Sequence, residues 1–99
     1  MFYRVRLAES AEHQFLGFNA RDRRSMLDQI KRQLQHEPFT ETRNRKRLRP
    51  NPVAPWELRI GRLRIFYEVD AVDSDLVNIL AVGIKKGNRL FIAGKEVKL

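Results

Sequence analysis

Residues Trp56–Val69, WELRIGRLRIFYEV, read as two short strands joined at Gly61-Arg62. A two-residue connection with glycine first predicts a type II′ turn, whose twist suits the strands on either side. That turn sets the register: Ile60 faces Leu63, Arg59 faces Arg64, Leu58 faces Ile65, Glu57 faces Phe66 and Trp56 faces Tyr67. Side chains alternate between the two faces of a strand, so Ile60/Leu63, Leu58/Ile65 and Trp56/Tyr67 make one apolar face. The other face carries Arg59 directly across from Arg64, with Glu57 and Phe66 beyond. Like charges opposed across a strand pair are destabilising by roughly 0.2–1 kcal/mol. Two arginines in that position also make a site that attracts an anion.

Downstream of this hairpin, Asp70 to Asp75 is an acidic turn. It lacks the glycine and distal glutamate of a helix-loop-helix calcium loop, so it reads as a plain connection. Leu76 to Ile84, LVNILAVGI, is a nearly unbroken apolar run with β-branched residues, as expected of a central strand buried on both faces. Gly83 near its end permits a bend or the close approach of another backbone. Lys85, Lys86 and Arg89 follow directly, and the Gly87-Asn88 turn folds Leu90 to Ile92 back as a small edge strand.

Upstream, Arg43, Arg45, Lys46, Arg47 and Arg49 place five cations within seven residues without an acid. Charge runs are ordinarily solvated segments. Alternation here puts Asn44, Lys46 and Leu48 on one side and the four arginines on the other, which predicts a basic strand or extended edge. Pro50, Pro52 and Pro55 then connect it to the hairpin, since prolines cannot join a sheet ladder.

Phe2 to Leu7 alternates as a first strand, with Tyr3, Val5 and Leu7 against Phe2, Arg4 and Arg6. Ser10 is placed to cap a short helix running to about Phe18. Asn19 caps a longer one ending near His36, where Met26, Leu27, Ile30 and Leu34 supply the apolar stripe and Pro38 the stop. Two helices joined by so short a link predict a hairpin covering one face of a sheet. The expected architecture is α+β: an N-terminal strand, an α-helical hairpin, then a mainly antiparallel sheet packed on the helices.

Ninety-nine residues suit one domain spanning 1–99. Apolar residues at 42% favour a folded chain over a disordered tail. With no cysteine, disulfides and thiolate metal sites are excluded. The start lacks the apolar run of a signal peptide and no window suits a membrane span, so a soluble cytoplasmic protein is expected. The net charge of +8 is a footprint for nucleic acid or an acidic protein partner.

Several chemistries have no support. His13 and His36 belong to different helices and lack neighbours in a zinc-ligand pattern, so no metal is expected. No glycine-rich phosphate loop or Ser-His-Asp spacing is present, and no cofactor is implied. What remains are three basic clusters at 43–49, 59–64 and 85–89. Strand adjacency should bring the second and third onto one rim. Such side chains suit a polyphosphate backbone and the extra charge of a pentacoordinate phosphorus. With the 2′-hydroxyl of RNA as nucleophile, such a reaction needs no metal.

RNRKRLRP (43–50), WELRIGRLRIFYEV (56–69) and NILAVGIKKGNRLF (78–91) resemble the RelE/ParE superfamily of toxins from toxin–antitoxin systems. The likeness covers nearly the whole chain and implies a small α+β domain bound by a cognate antitoxin. RelE-like members cut mRNA in the ribosome; ParE-like members poison DNA gyrase. Both readings, and a basic RNA- or antitoxin-binding module without catalysis, stay open at this point. The resemblance puts Arg64 at the arginine that stabilises the transition state and Arg59 at one of two basic strand residues, the other falling on Glu57. It puts Lys85 or Lys86 near the general acid and Phe91 where RelE carries a tyrosine. Arg43, Arg45, Lys46, Arg47, Arg49, Arg62, Arg89 and Phe91 are then the expected RNA-binding set.

Overall fold

The structure, a computed structural model, describes residues 2–99. Gly61 has φ 57°, and Ala93 is the one non-glycine residue with positive φ among those described. A left-handed first residue followed by an ordinary second is what a type II′ turn requires. The hairpin forms with all five expected pairs, Trp56↔Tyr67 through Ile60↔Leu63.

In chain order the elements are β1 (Arg4–Leu7), α1 (Glu9–Leu16), α2 (Ala20–Gln29), β2 (Arg45–Arg47), β3 (Trp56–Ile60), β4 (Leu63–Val69), β5 (Leu76–Lys86), β6 (Arg89–Ile92) and β7 (Lys95–Val97). A π-helical turn, Ile30–Leu34, extends α2 towards Pro38. The strands form one seven-stranded sheet in the order β2-β3-β4-β5-β6-β7. β1 lies parallel beside the first part of β5; every other pairing is antiparallel. β7 is an addition to the sequence reading. It follows a turn in which Ala93 and Gly94 both have positive φ, 54° and 78°.

Both helices pack on one face of the sheet. Ala11, Met26, Ile30 and Leu34 meet Trp56, Leu58, Leu63, Ile65, Tyr67, Val77 and Ile79 in the main core. Tyr3, Val5 and Leu7 pack against this core, as their alternation predicts. Burying each large apolar side chain stabilises by roughly 1.5–3 kcal/mol. The outer face is not bare: Phe66, fully buried, joins Ala54, Ala81 and Leu90 in a second, smaller core. The 48–55 connection contributes Leu48 and Val53 to it. Asn51 ties that connection, accepting from Val53 N and Ala54 N while donating to the carbonyls of Arg49 and Ala54.

Asn19 caps α2 as expected, accepting from Asp22 N at 2.8 Å. Ser10 does not cap α1. The cap is Ala8, without a side-chain bond, and the helix ends at Leu16. The reason lies in β5, whose edge pairs with β1 only as far as Ile79 and with β6 only from Gly83. Backbone groups in the gap need other partners. Gln14 Oε1 accepts from Val82 N at 2.8 Å, and the Ser10 hydroxyl donates to Leu80 O over a long 3.5 Å. One turn apart on α1, the two side chains face the same strand.

Candidate nucleic-acid interface

On the face away from the helices, cross-strand pairing assembles cations from four adjacent strands. Lys46 of β2 stands opposite Glu57 of β3. Arg59 of β3 stands opposite Arg64 of β4. Arg64 in turn faces Gly83 of β5, and Lys85 lies two residues further along the same side of that strand. A Cβ at Gly83 would come within 2.7 Å of Phe91 O, so glycine is what lets β6 approach here.

A bulge decides which lysine joins this face. Phe66 pairs with Ala81 but Tyr67 with Ile79, leaving Leu80 as an extra residue in β5. One inserted residue reverses the alternation beyond it. Lys85 therefore points to the arginine side and Lys86 to the helix side. Of the two lysines, Lys85 is the one that shares a face with the arginine pair.

The opposed arginines already have an anion between them. Arg59 Nε donates to Glu57 Oε1 at 2.7 Å, and Arg64 Nε lies 4.0 Å from Oε2. The Glu57 side chain is only 6% exposed and Arg64 13%, against 47% for Arg59. Arg64 is further tied through Nη1 to the carbonyls of Gly61 and Leu63, at 2.6 and 2.9 Å. Burial pulls its guanidinium below the ordinary value; Glu57 opposes that shift and Arg59 adds to it. Glu57, expected beyond the pair on the same face, lies against both arginines, and the triad carries one net positive charge. Glu57 is an addition to the residues expected at this site. The signal was its place two residues from Arg59, on the same side of the strand.

The other expected residues divide. Arg45 is buried at 7%, with Nε bonded to Thr40 O and Nη1 to Gln33 O and Oε1, so it faces the interior and not a nucleic acid. Arg47 is on the helix side of β2, with its guanidinium 5.9 Å from the Trp56 ring. Arg43 and Arg49 flank β2 and are exposed. Arg62, at the hairpin turn, pairs with Asp22 of α2 at 3.7 Å. Lys85 N donates to Arg62 O at 2.8 Å, which joins the second and third clusters on one rim as expected. Lys86, Arg89 and Phe91 are on the helix side of the sheet, so the structure does not bring them to the arginine pair. The alternation in β6 puts Leu90 and Ile92, not Phe91, on the outer side.

Among the described residues no helix is long and apolar enough to cross a membrane, and no group of three or more His, Asp or Glu is placed to hold a metal. The acidic turn instead serves ion pairs: Asp70 with Arg6 and Asp73 with Arg4.

No family model and no curated protein matches the sequence. Among solved structures, a chain in the crystal structure of the toxin–antitoxin complex RelBE2 from Mycobacterium tuberculosis is similar, with a TM-score of 0.69 at 24% identity. The match covers 86% of this chain and 100% of that one. The chain therefore has a RelE-like α+β fold: an N-terminal strand, helices on one face and a mainly antiparallel sheet.

Proposed function

We propose that this chain is the toxin of a type II toxin–antitoxin pair and arrests translation by cutting mRNA on the ribosome. The observation that carries this reading is the outer-face group of Lys46, Arg59, Arg64 and Lys85, with the buried carboxylate of Glu57 set against the two arginines. Arg59 and Arg64 hold the non-bridging oxygens of a phosphodiester and stabilise the charge gained at phosphorus. The RNA 2′-hydroxyl attacks that phosphorus and gives its proton to Glu57 Oε2, the carboxylate oxygen less committed to Arg59. The P–O5′ bond breaks, and the departing oxygen takes a proton from Lys85 Nζ. The products are a 2′,3′-cyclic phosphate and a 5′-hydroxyl. Every step uses side chains of this chain and the RNA alone.

An acidic, partly disordered antitoxin suits a chain with a charge of +8. Action on ribosomes locates this activity in the cytoplasm. Primer extension on an mRNA, with ribosomes present and absent, is the test. Ribosome-dependent cuts made by the wild type and lost in Arg64→Ala support the proposal; cuts that persist in that variant refute the site assignment.

A gyrase-directed toxin is the second reading, favoured by one observation. Phe91, the nearest match to the RelE tyrosine, has no hydroxyl and lies behind the sheet from Arg64. Supercoiling by gyrase in the presence of excess protein separates the two.

A further inference from the structure

Behind the sheet from the arginine pair, where α1 ends, lies a second concave site of about 430 Å³. Gln14, Phe18, Ile84, Lys86, Phe91 and Gly94 line it. The volume is within the roughly 300–1,000 Å³ of ligand clefts. Phe18, Ile84 and Phe91 are half-buried and form apolar walls. The left-handed Ala93-Gly94 turn supplies the far side.

The polar groups around this pocket share one character. Lys86 Nζ is 5.5 Å and the Arg89 guanidinium 5.3 Å from the centre of the Phe91 ring. Arg89 is engaged by Glu96 at 2.8 Å; Lys86 has no ion pair among the described residues. Gln14 spends its Oε1 on Val82 N, and its Nε2 has no hydrogen-bond partner among the described residues. The free polar groups are thus a cation and an amide donor. A complementary ligand brings an apolar body with acceptors or negative charge beside it. A nucleobase presents donors as well as acceptors.

We propose that this pocket anchors an acidic protein segment through one large apolar side chain, with flanking carboxylates meeting Lys86 and the Gln14 amide. The chain's net charge of +8 supplies the long-range complement. The inference deepens the partner half of the proposed function, since the segment belongs to the antitoxin of that reading. It places a contact on the opposite side of the sheet from the cutting site.

Selection of a random 12-residue peptide phage library on the whole protein tests the idea. The wild type should enrich acidic peptides with a central large apolar residue, and Lys86→Glu or Phe91→Ser should weaken the selected peptide at least tenfold. Lys86 is exposed, so its variant keeps the test open should Phe91→Ser unfold. The proposal is overturned if the wild type enriches no such pattern or if both folded variants bind the peptide equally. It is also overturned if a 12-nucleotide single-stranded RNA displaces the peptide from wild type but not from Lys86→Glu. Arg64→Ala should bind the peptide normally, so loss of mRNA cutting and loss of this pocket are separate results.

Discussion

Glu57 and Arg59 are two residues apart on β3, and the carboxylate of the first accepts a 2.7 Å hydrogen bond from Nε of the second. Arg64 completes the group from the neighbouring strand. A buried carboxylate between two guanidiniums stabilises an arginine pair that would otherwise repel itself. It also competes with any phosphate for the same donors. Glu57→Gln separates these effects. Loss of a charge-assisted bond should cost about 1.5–3 kcal/mol of stability in urea unfolding. Affinity for single-stranded RNA should nevertheless rise, with the salt slope steeper by about 0.7 for each further phosphate neutralised. Cleavage should fall, because the proton acceptor is gone. An unchanged salt slope would show that Glu57 does not mask the arginines.

Arg64→Lys tests geometry apart from charge. Lysine keeps the positive charge but has no planar fork with which to hold two phosphoryl oxygens. If Arg64 stabilises the transition state, cutting should fall about 10²–10³-fold, the range for losing one such donor. The Arg64→Ala variant should be equally inactive and still folded, as judged by circular dichroism. Near-normal cutting by the lysine variant would reduce Arg64 to an electrostatic contributor.

Arg45→Met should be a stability variant. Its guanidinium satisfies Thr40 O, Gln33 O and Gln33 Oε1 in a nearly closed site. Each of these three part-buried hydrogen bonds contributes about 1 kcal/mol, so a total loss of roughly 3 kcal/mol in urea is expected. Arg43→Ala and Arg49→Ala, by contrast, change exposed residues and should stay within about 0.5 kcal/mol of wild type. A basic run read as five equivalent RNA contacts would instead give five similar effects on RNA affinity and none on stability.

These residues also show where the sequence stops being readable. The hairpin was legible because a two-residue turn fixes its own register, and pairs such as Trp56↔Tyr67 follow from counting. Arg45 was not, because its partners Gln33 and Thr40 come from the π-helical turn after α2 and the loop beyond; a local charge pattern contains no trace of them. The choice between Lys85 and Lys86 was not, because it depends on an extra residue at Leu80, inside a run of apolar side chains that fits either parity. Ser10 obeyed the cap rule in sequence, but a gap along β5 took it for another use. Glu57 was seen on the correct face, yet its burial depends on the second core around Phe66.

Tyr67 predicts how stability responds to alkali. It is fully buried and donates to Pro38 O at 2.5 Å. Burial drives its phenol well above the usual range, with the nearby positive charge of Arg45 in opposition. In the unfolded chain the phenol ionises near pH 10. Above that pH the folded protein holds a proton that the unfolded chain has released. Its stability therefore decreases as pH rises, by about 1.4 kcal/mol per unit for a single group. Below about pH 10 the contribution is fully present. Tyr67→Phe should lower stability at pH 7 by about 1 kcal/mol through the lost hydrogen bond. It should also flatten the decline between about pH 10.5 and 12 by nearly the full slope of one group. Urea unfolding at half-unit pH intervals measures both. Equal slopes in the two proteins would mean that the phenol ionises within the folded state, and the closed packing around Pro38 would have to open in alkali.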